Sequence, residues 1–355
     1  MKDDSFILGT PRKQLEEFFF SENEKIFHAK QVLQWLHEYG ETDFSKMTNI
    51  SKSLRKKLSA KFTLNIPSII STNESTDGTI KWLLRLYDGS LIETVFIPEK
   101  GRGTLCISSQ AGCSLDCSFC STAQHGFVRN LTSDEIISQI WIVRNEIFSK
   151  ADDKKISNIV FMGMGEPLAN FNNLINVLDL LLDDSAYGFS KRRVTVSTSG
   201  LAPKIKQLSN LVDVSLAVSL HAPNDELRNT LVPINKRYPI DELLQACRFF
   251  LQHKKRKSTV TFEYVMLNKV NDTVAHAKEL SILLRDFPCK VNLIPFNDFP
   301  EAQYQCSSTQ QIDLFSNILH DAGIVTTVRK SRGTDIAAAC GQLAGHKGVI
   351  KISEH

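Results

Sequence analysis

The sequence predicts an α/β fold: an incomplete (β/α)6 TIM-like barrel that follows a small N-terminal helical domain. Between residues 101 and 345, six apolar runs of strand length are each followed by a helical stretch, which is typical of a parallel sheet. Polar or glycine-rich residues follow five of these runs, as expected for the loops that carry the active site of a barrel. Upstream of residue 66, apolar residues recur at helical spacing instead.

The chain is long enough to form one large domain and an accessory one. It has 355 residues, of which 42% are hydrophobic, so it can bury a sizeable core. The changes of pattern along the chain divide it into four predicted segments. They are a helical accessory domain (1–66), a β-hairpin connector (67–100), a partial barrel that ends in a cysteine-containing loop (101–345) and a tail (346–355).

Local signals predict the elements of the first two segments. Ser21, three residues before Glu24, predicts a helix start, and Gly40 predicts a helix stop. In the connector the pattern changes to short apolar alternation, with turn signals at Asp77-Gly78 and Asp88-Gly89. We therefore predict strands joined by tight turns in this connector.

The third segment alternates strands and helices. A flat, doubly wound sheet is the alternative to a barrel, but no G-x-G-x-x-G run opens a first helix, so we favour the open barrel. The strands are predicted at residues 104–108, 156–162, 193–198, 214–220, 259–266 and 290–295.

Three cysteines after the first predicted strand form a C-x3-C-x2-C array of Cys113, Cys117 and Cys120. Thiolates are the ligands that both iron–sulfur clusters and zinc favour. Zinc normally takes four protein ligands at a structural site, and no fourth ligand stands at a zinc-like spacing here. The array therefore predicts a [4Fe-4S] cluster on three thiolates. Its open iron would bind S-adenosylmethionine through the amino and carboxylate groups and cleave it reductively.

The polar residues at the ends of the other predicted strands fit the same ligand. Gly165 gives backbone freedom beside Glu166, whose carboxylate could accept from the amino group of S-adenosylmethionine. Each residue alone is a weak signal, because a strand-end serine is often only a helix cap, but all of them are expected at one face of the barrel. The contacts to ribose and carboxylate are predicted for Ser197, Ser219 and His221, and the contact to the adenine edge for Asn297.

Positive charge is concentrated in clusters although the net charge is only +3. A single cluster is usually a solvated surface, but several of them are what a phosphate backbone selects. The sequence therefore raises nucleic acid as a candidate partner. The clusters occupy residues 51–61, 191–193, 253–257 and 328–332.

The sequence gives no sign of a membrane or secretory route. The N-terminus lacks the apolar run of a signal peptide, and no apolar stretch reaches transmembrane length. The eight cysteines are then expected in the reducing cytoplasm, as metal ligands or redox groups before disulfides. Without further context, a free cysteine is most often a small buried hydrophobic residue, which is the interpretation for Cys247, Cys289 and Cys306.

Six runs of this sequence resemble the RlmN family of bacterial radical S-adenosylmethionine methyltransferases, which methylate adenine C2 in 23S rRNA and in certain tRNAs. The resemblance covers nearly the whole chain. It implies a barrel of the radical S-adenosylmethionine type and a cofactor-binding run of Ser219, Leu220 and His221. It also implies that the helical domain binds RNA. The runs are residues 103–123, 162–168, 191–200, 219–226, 292–297 and 335–343.

The resemblance also implies a mechanism that uses a second pair of cysteines. Cys340 takes a methyl group from one S-adenosylmethionine by displacement. A second molecule yields the 5′-deoxyadenosyl radical, which abstracts hydrogen from that methyl group, and the resulting methylene radical adds to C2. Cys106 then resolves the protein–RNA adduct by forming a disulfide with Cys340. Glu93 matches the position of a proton acceptor, and whether Glu93 or Cys106 removes the C2 proton stays open.

The same resemblance implies partners and leaves alternatives. The implied partners are 23S rRNA and tRNA, with a flavodoxin- or ferredoxin-type electron donor, and a monomer is expected. The related Cfr family methylates C8 of the same ribosomal adenine; the run Gly-Glu-Pro-Leu at 165–168 favours C2. Two other classes are weighed against it. A metal-stabilised RNA-binding module would not need Cys340, and a methylthiotransferase is expected to carry a second cysteine cluster, which the sequence lacks.

Overall fold

The computed structural model describes residues 5–149, 155–254 and 258–345. The predicted tail, 346–355, and Lys255, Arg256 and Lys257 of one basic cluster lie outside the described residues. No helix of the described part is both long and apolar enough to cross a bilayer. The strands are β1 (Ser5–Phe6), β2 (Phe62–Thr63), β3 (Ser68–Glu74), β4 (Ile80–Arg85), β5 (Leu91–Glu99), β6 (Arg102–Cys106), β7 (Gln110–Gly112), β8 (Phe127–Asn130), β9 (Asn158–Phe161), β10 (Val194–Thr198), β11 (Ser215–Ser219), β12 (Val260–Met266), β13 (Cys289–Pro295) and β14 (Val325–Val328). The α-helices are α1 (Arg12–Ser21), α2 (His28–Leu33), α3 (Lys52–Lys61), α4 (Ser121–Gln124), α5 (Ser133–Ser149), α6 (Phe171–Leu182), α7 (Ala202–Leu211), α8 (Asp225–Leu231), α9 (Ile240–Gln252), α10 (Val274–Leu284) and α11 (Thr309–Asp321).

Residues 5–66 are mainly helical, which agrees with the predicted small N-terminal helical domain. Leu15 and Phe19 of α1 and Leu54 and Leu58 of α3 are fully buried, which is the helical spacing that the sequence shows. The prediction of a helix start at Ser21 is wrong, because Ser21 is the last residue of α1. Its hydroxyl donates to the carbonyl of Phe18 in the preceding turn, so it helps to close that helix and does not cap the next one.

One ten-stranded sheet organises the rest of the chain. Its strand order is β14-β13-β12-β11-β10-β9-β6-β5-β4-β3. The neighbouring strands from β6 to β14 pair in parallel, whereas β3, β4, β5 and β6 pair antiparallel. The connector and the barrel therefore share one continuous sheet, and Gly78 and Gly89 lie in the turns of the connector with positive φ values of 82° each.

The predicted (β/α)6 architecture is confirmed. Each of β6, β9, β10, β11, β12 and β13 is followed by a helix that leads to the next parallel strand. The sequence did not predict β14, which adds a seventh parallel strand to this run at the edge of the sheet. Val325 and Val328 of β14 are 53% and 44% exposed, so this short edge strand lacks the buried apolar run by which the other parallel strands of the sheet are predicted.

The helical segment packs on the barrel through specific polar contacts. The backbone N–H of Gly9 donates to Asp134 at the start of α5 (2.8 Å). The indole N–H of Trp141 donates to the carbonyl of Leu36 (3.0 Å). Arg12 forms an ion pair with Asp183, after α6. These contacts place the segment against α5 and α6, on the helical side of the sheet.

Candidate functional site

A cavity opens at the carboxyl ends of the parallel strands. It brings together residues from the loops after β6, β9, β10, β11 and β13, as expected for a barrel of this type. Most of the residues that the sequence analysis selects line it. They are Cys113, Cys117, Cys120, Gly165, Glu166, Ser197, Ser219, His221, Asn297 and Cys340.

A small antiparallel ribbon formed by β7 and β8 holds the start of the cysteine loop. The backbone N–H of Cys113 donates to the carbonyl of Gly126 across this ribbon (3.1 Å). Gly112 has a φ of 74°, and a Cβ there would lie 1.9 Å from the Gly126 carbonyl oxygen. Only glycine allows this close approach, so the ribbon fixes where the array begins.

The three thiols of the array fit an iron–sulfur cluster. Burial raises the pKa of Cys113 to about 12 and raises the pKa values of Cys117 and Cys120. The charges of Cys120 and Cys113 raise the pKa of Cys117 further, and all three cysteines line the same cavity. Three buried thiolates need a cationic partner there. Within the described ranges, no three Cys, His, Asp or Glu side chains converge on a single metal ion, whereas a cluster takes one thiolate on each of several irons.

Glu166 lies buried beside the cysteine loop. Its Oε1 accepts from the backbone N–H of Leu168 (3.0 Å) and its Oε2 from that of Ser199 (2.8 Å). Burial raises its pKa to about 7 despite these hydrogen bonds. A carboxylate in this position is therefore better stabilised when a cation such as an ammonium group approaches it from the cavity.

A second side chain links Glu166 to the cysteine loop. The amide oxygen of Gln110 accepts from the backbone N–H groups of Glu166 (3.0 Å) and Ser114 (3.1 Å). Gly165 has a φ of 96°, and a Cβ there would lie 2.4 Å from the Cβ of Gln110. The glycine thus allows the Glu166 loop to approach the array. The sequence analysis did not select Gln110.

His221 is held as a neutral donor. It adopts a φ of 61°, and its Nδ1 accepts from the backbone N–H of Val265 (3.0 Å). Burial, assisted by the charge of Arg228, lowers its pKa to about 3. The proton therefore resides on Nε2, which a ligand in the cavity can use as a hydrogen-bond donor.

Arg228 organises two strand ends, and the sequence analysis did not select it. The side chain is fully buried in α8 and donates to the carbonyls of Ser199 (2.6 Å), Ser219 (3.0 Å) and Leu220 (3.0 Å). It thereby fixes the loops after β10 and β11 against each other. The Leu220 side chain is itself fully buried and does not line the cavity.

Cys340 stands on a C-terminal loop that is tied to both sides of the cavity. The side-chain amide of Asn297 donates to the Cys340 carbonyl (3.2 Å). The backbone N–H of Ser121, next to the array, donates to the Gly341 carbonyl (2.8 Å). Asp335 accepts from the Ser75 hydroxyl (2.6 Å) in the connector. These contacts hold Cys340 beside the cysteine array, although more than 200 residues separate them in the sequence.

A second cleft lies on the other side of Cys340. It opens between β5 and β6 on one side and the residues after β14 on the other, so the sheet curves to bring these elements together. Cys106, at the end of β6, lines this cleft together with Cys340. Burial and the neighbouring Cys340 raise the pKa of Cys106 to about 12. The residues that line both the cavity and the cleft are Met162, Ile294, Asn297, Arg329 and Cys340.

Glu93 lines neither the cavity nor the cleft. Its side chain is buried, and its Oε1 forms an ion pair with Lys81 (2.9 Å). Its Oε2 accepts from the backbone N–H groups of Ala344 (2.8 Å) and Gly345 (3.4 Å). Lys81 also donates to the Ala337 carbonyl (3.0 Å). The Lys81–Glu93 pair therefore contacts the backbone on both sides of Cys340 along the chain, at Ala337 and at Ala344 and Gly345. The role of Glu93 as proton acceptor stays a prediction.

The four basic clusters occupy different places. Two of them lie near the amino ends of β10 and β11, opposite the cavity, at residues 191–193 and His253–Lys254. In these two clusters, Lys191 (3.4 Å) and Lys254 (2.8 Å) form ion pairs with Asp213. Of the 328–332 cluster, Arg329, Lys330 and Arg332 line the cleft. On α3, Lys52, Lys56 and Lys61 are exposed. The last two clusters are therefore the better candidates for contact with a phosphate backbone.

Comparisons with known proteins agree over nearly the whole chain. The family model for the ribosomal RNA large subunit methyltransferase N-terminal domain matches residues 7–64. The family model for the radical SAM superfamily, where SAM stands for S-adenosylmethionine, matches residues 107–280. The two models thus cover separately the helical segment and most of the barrel.

Two individual relatives match over nearly their full length. A dual-specificity RNA methyltransferase RlmN of Marinobacter nauticus is 53% identical over 340 residues, which is 96% of this chain and 92% of the relative. The crystal structure of a radical SAM methyltransferase from Sphaerobacter thermophilus superposes with a TM-score of 0.89. It is 42% identical and covers 96% of this chain and 99% of its own.

Proposed function

Because the chain belongs to the RlmN family of radical SAM RNA methyltransferases, we propose that it methylates C2 of an adenine in 23S rRNA and in tRNA through a methylated cysteine. The observation that carries this proposal is the position of Cys340. It lies on the wall between a cavity that contains three grouped thiols and a basic cleft that contains Cys106. A methyl group on Cys340 would therefore be reachable from a cofactor on one side and from a nucleotide on the other.

The residues of the cavity have distinct roles in this proposal. Cys113, Cys117 and Cys120 hold a [4Fe-4S] cluster, and Glu166 accepts from the amino group of S-adenosylmethionine. When bound, the cluster and S-adenosylmethionine supply the electron, the methyl group and the radical that activates it. His221 donates from Nε2, and Ser197, Ser219 and Asn297 offer the remaining polar contacts at the rim.

Two further cysteines of the site, Cys340 and Cys106, carry the methyl group and complete the catalytic cycle. Cys340 acts as the nucleophile that accepts the methyl group. Cys106 stays a thiol while it is buried, because its raised pKa disfavours the thiolate. To resolve the protein–RNA adduct, Cys106 loses its proton and attacks the Cys340 sulfur. The Cys106–Cys340 disulfide forms as the bond from that sulfur to the methylene carbon breaks, and this carbon takes up a proton to become the new methyl group. Methylation of Cys340 and activation of its methyl group are separate reactions, so each turnover uses two molecules of S-adenosylmethionine. We infer further that a flavodoxin- or ferredoxin-type protein supplies the electron, and that the enzyme acts as a cytoplasmic monomer.

The direct test is the position of the new methyl group. The protein, reconstituted anaerobically with iron and sulfide, is incubated with reductant, S-adenosylmethionine and either 23S rRNA fragments or tRNA. Mass spectrometry of the digested nucleosides should show 2-methyladenosine in both RNAs, and none with Cys340→Ala. Detection of 8-methyladenosine would contradict the regiochemistry. Methylation of rRNA alone would contradict the tRNA part of the proposal.

The exposed lysines of α3 are predicted to contact RNA. Replacing Lys52, Lys56 and Lys61 together by Gln should weaken RNA binding and lower the slope of log affinity against log salt by about 2 to 3 units. The slope falls because each lysine–phosphate contact that is lost reduces the number of counterions released when the protein binds RNA. Affinity measured at several salt concentrations checks this.

A matched control comes from the same helix. Lys57 is already paired with Glu24 (3.2 Å) and Glu22 (3.5 Å), so Lys57→Gln should leave the salt dependence nearly unchanged. An unchanged slope in the triple variant would place the RNA contact surface elsewhere on the molecule.

The Lys81–Glu93 pair is predicted to stabilise the fold that presents Cys340. Their side chains are only 8% and 3% exposed, so Lys81→Met leaves a buried carboxylate without its cation. We expect the free energy of unfolding to fall by about 3 to 5 kcal/mol. Denaturant unfolding measures this. The exposed pair of Lys46 with Glu41 is the control, where Lys46→Met should cost less than about 1 kcal/mol.

A second variant separates anchoring from proton transfer. In Glu93→Gln, an amide oxygen can still accept from Ala344, so the loop should remain ordered, whereas an amide cannot accept the C2 proton. If Glu93 only anchors the loop, methylation should fall by less than about tenfold. A complete loss of methylation in a stable Glu93→Gln protein would instead support Glu93 as the proton acceptor.

A further inference from the structure

Glu263 is a buried carboxylate that the roles proposed above do not use. Its neighbour Tyr264 faces outward and packs on Phe315 of α11, so Glu263 faces into the barrel, where it lines the cavity. It is only 4% exposed. Its Oε1 accepts from the side-chain amide of Asn292 (3.0 Å), but its Oε2 has no hydrogen-bond partner among the described residues. A buried acceptor left unpaired is costly, so Oε2 is suited to a ligand donor.

Arg329 faces the same cavity from the residue after β14. Its backbone N–H donates to the Leu293 carbonyl (2.8 Å), which fixes its place next to β13. Its guanidinium lies within electrostatic range of Glu263 and Cys340, yet the described residues show no ion pair between Arg329 and Glu263. A negatively charged acceptor, Glu263, and a positively charged donor, Arg329, therefore lie in one cavity without forming an ion pair with each other.

We propose that Glu263 and Arg329 form a subsite that reads an adenine base. The exocyclic amino group of adenine donates, and the adjacent ring nitrogens accept. Glu263 Oε2 accepts from the amino group, and Arg329 donates to a ring nitrogen. Guanine and hypoxanthine carry a carbonyl oxygen in place of that amino group, so the Glu263 carboxylate repels them. This inference rests on the proposed function, since it concerns the base that is methylated.

Two adenines could supply this chemistry: the target base in the RNA and the adenine of S-adenosylmethionine. The position of Arg329 favours the target base. Arg329 lines the cleft as well as the cavity, together with Cys106 and Cys340, and the target carbon has to reach Cys340. Lys330 and Arg332 line the same cleft and can neutralise the phosphates on either side of that nucleotide.

The test is Glu263→Gln. Asn292 donates to Oε1, so it should hold the oxygen of the new amide and leave its N–H2 group facing the cavity. The subsite would then present a donor to the adenine amino group. We measure kcat/KM for methylation of two RNAs, one with adenosine and one with purine riboside, which lacks the amino group, at the target position. The wild type should prefer adenosine by roughly 10- to 100-fold. Glu263→Gln should prefer it by less than about threefold.

Two controls separate the possible outcomes. Glu226→Gln replaces an exposed acid of α8 and should keep the wild-type preference. The affinity of Glu263→Gln for S-adenosylmethionine, with its iron content, should match that of the wild type. A wild-type preference below about threefold overturns the inference whether or not the variant folds. An unchanged preference in Glu263→Gln also overturns it. A tenfold loss of the affinity of Glu263→Gln for S-adenosylmethionine overturns it as well, because that loss would assign the subsite to the cofactor. If the wild type methylates neither RNA, the proposed function itself fails.

Discussion

Replacing Cys117 by Ala is expected to abolish both iron retention and RNA methylation. Cys117 is buried and lines the cavity together with two other thiols, Cys113 and Cys120. A cluster that already lacks a fourth protein ligand would keep only two thiolates, and no other described side chain completes a metal site there. Iron and sulfide content, together with the amount of S-adenosylmethionine cleaved under reduction, measure the loss.

The matched control is Cys247→Ala. Cys247 is also fully buried, but it lies in α9 and does not line the cavity. This change should cost about 1 kcal/mol of stability and leave the iron content unchanged. A Cys117→Ala protein that still binds iron and cleaves S-adenosylmethionine would rule out the ligand assignment.

Replacing Cys106 by Ala is expected to trap the protein on its RNA. In the proposed cycle, Cys340 becomes covalently bound to the target base before Cys106 releases it. Among the described residues, Cys106 and Cys340 are the cysteines that line the cleft, so no other described thiol there can take over this step. Denaturing electrophoresis should show an RNA-linked protein band that survives heating and disappears after nuclease treatment.

The double variant Cys106→Ala/Cys340→Ala provides the control. Without Cys340 no covalent bond to the base can form, so the band should be absent. A Cys106→Ala protein that retains Cys340, turns over S-adenosylmethionine and remains free of linked RNA would contradict the resolving role of Cys106.

The sequence predicts the elements and residues whose signals are local. The strands from β9 to β13 are predictable because buried parallel strands carry continuous apolar runs. The array is recognisable from residue order alone, because Cys113, Cys117 and Cys120 fall within eight residues. The edge strand β14 carries no such run, since only Thr326 of its four residues is buried, and its basic neighbours indicate a nucleic-acid contact instead of a strand.

Residues that act through distant partners could not be predicted in this way. Arg228 donates to the carbonyls of Ser199 and Ser219. The proposed role of Glu263 depends on its position beside Asn292 and in the same cavity as Arg329. A lone Arg in a helix or a lone Glu in a strand is ordinarily a solvated residue. The prediction of a helix start from the Ser-x-x-Glu pattern at Ser21 is wrong for the opposite reason. The local signal is present, but Ser21 is still part of α1.

The ties between the cysteine loop and the Cys340 loop have a thermodynamic consequence. The N–H of Ser121 bonds to the Gly341 carbonyl, and the hydroxyl of Thr122 bonds to the Leu343 carbonyl. Ser121 directly follows Cys120, so a ligand that orders the array also favours the placement of Cys340. Such coupling is reciprocal. If the three thiols hold a cluster as proposed, an RNA that binds against Cys340 should therefore tighten the binding of that cluster. In the proposed cycle, Cys340 would then be correctly placed as the nucleophile chiefly in molecules that already hold the cluster.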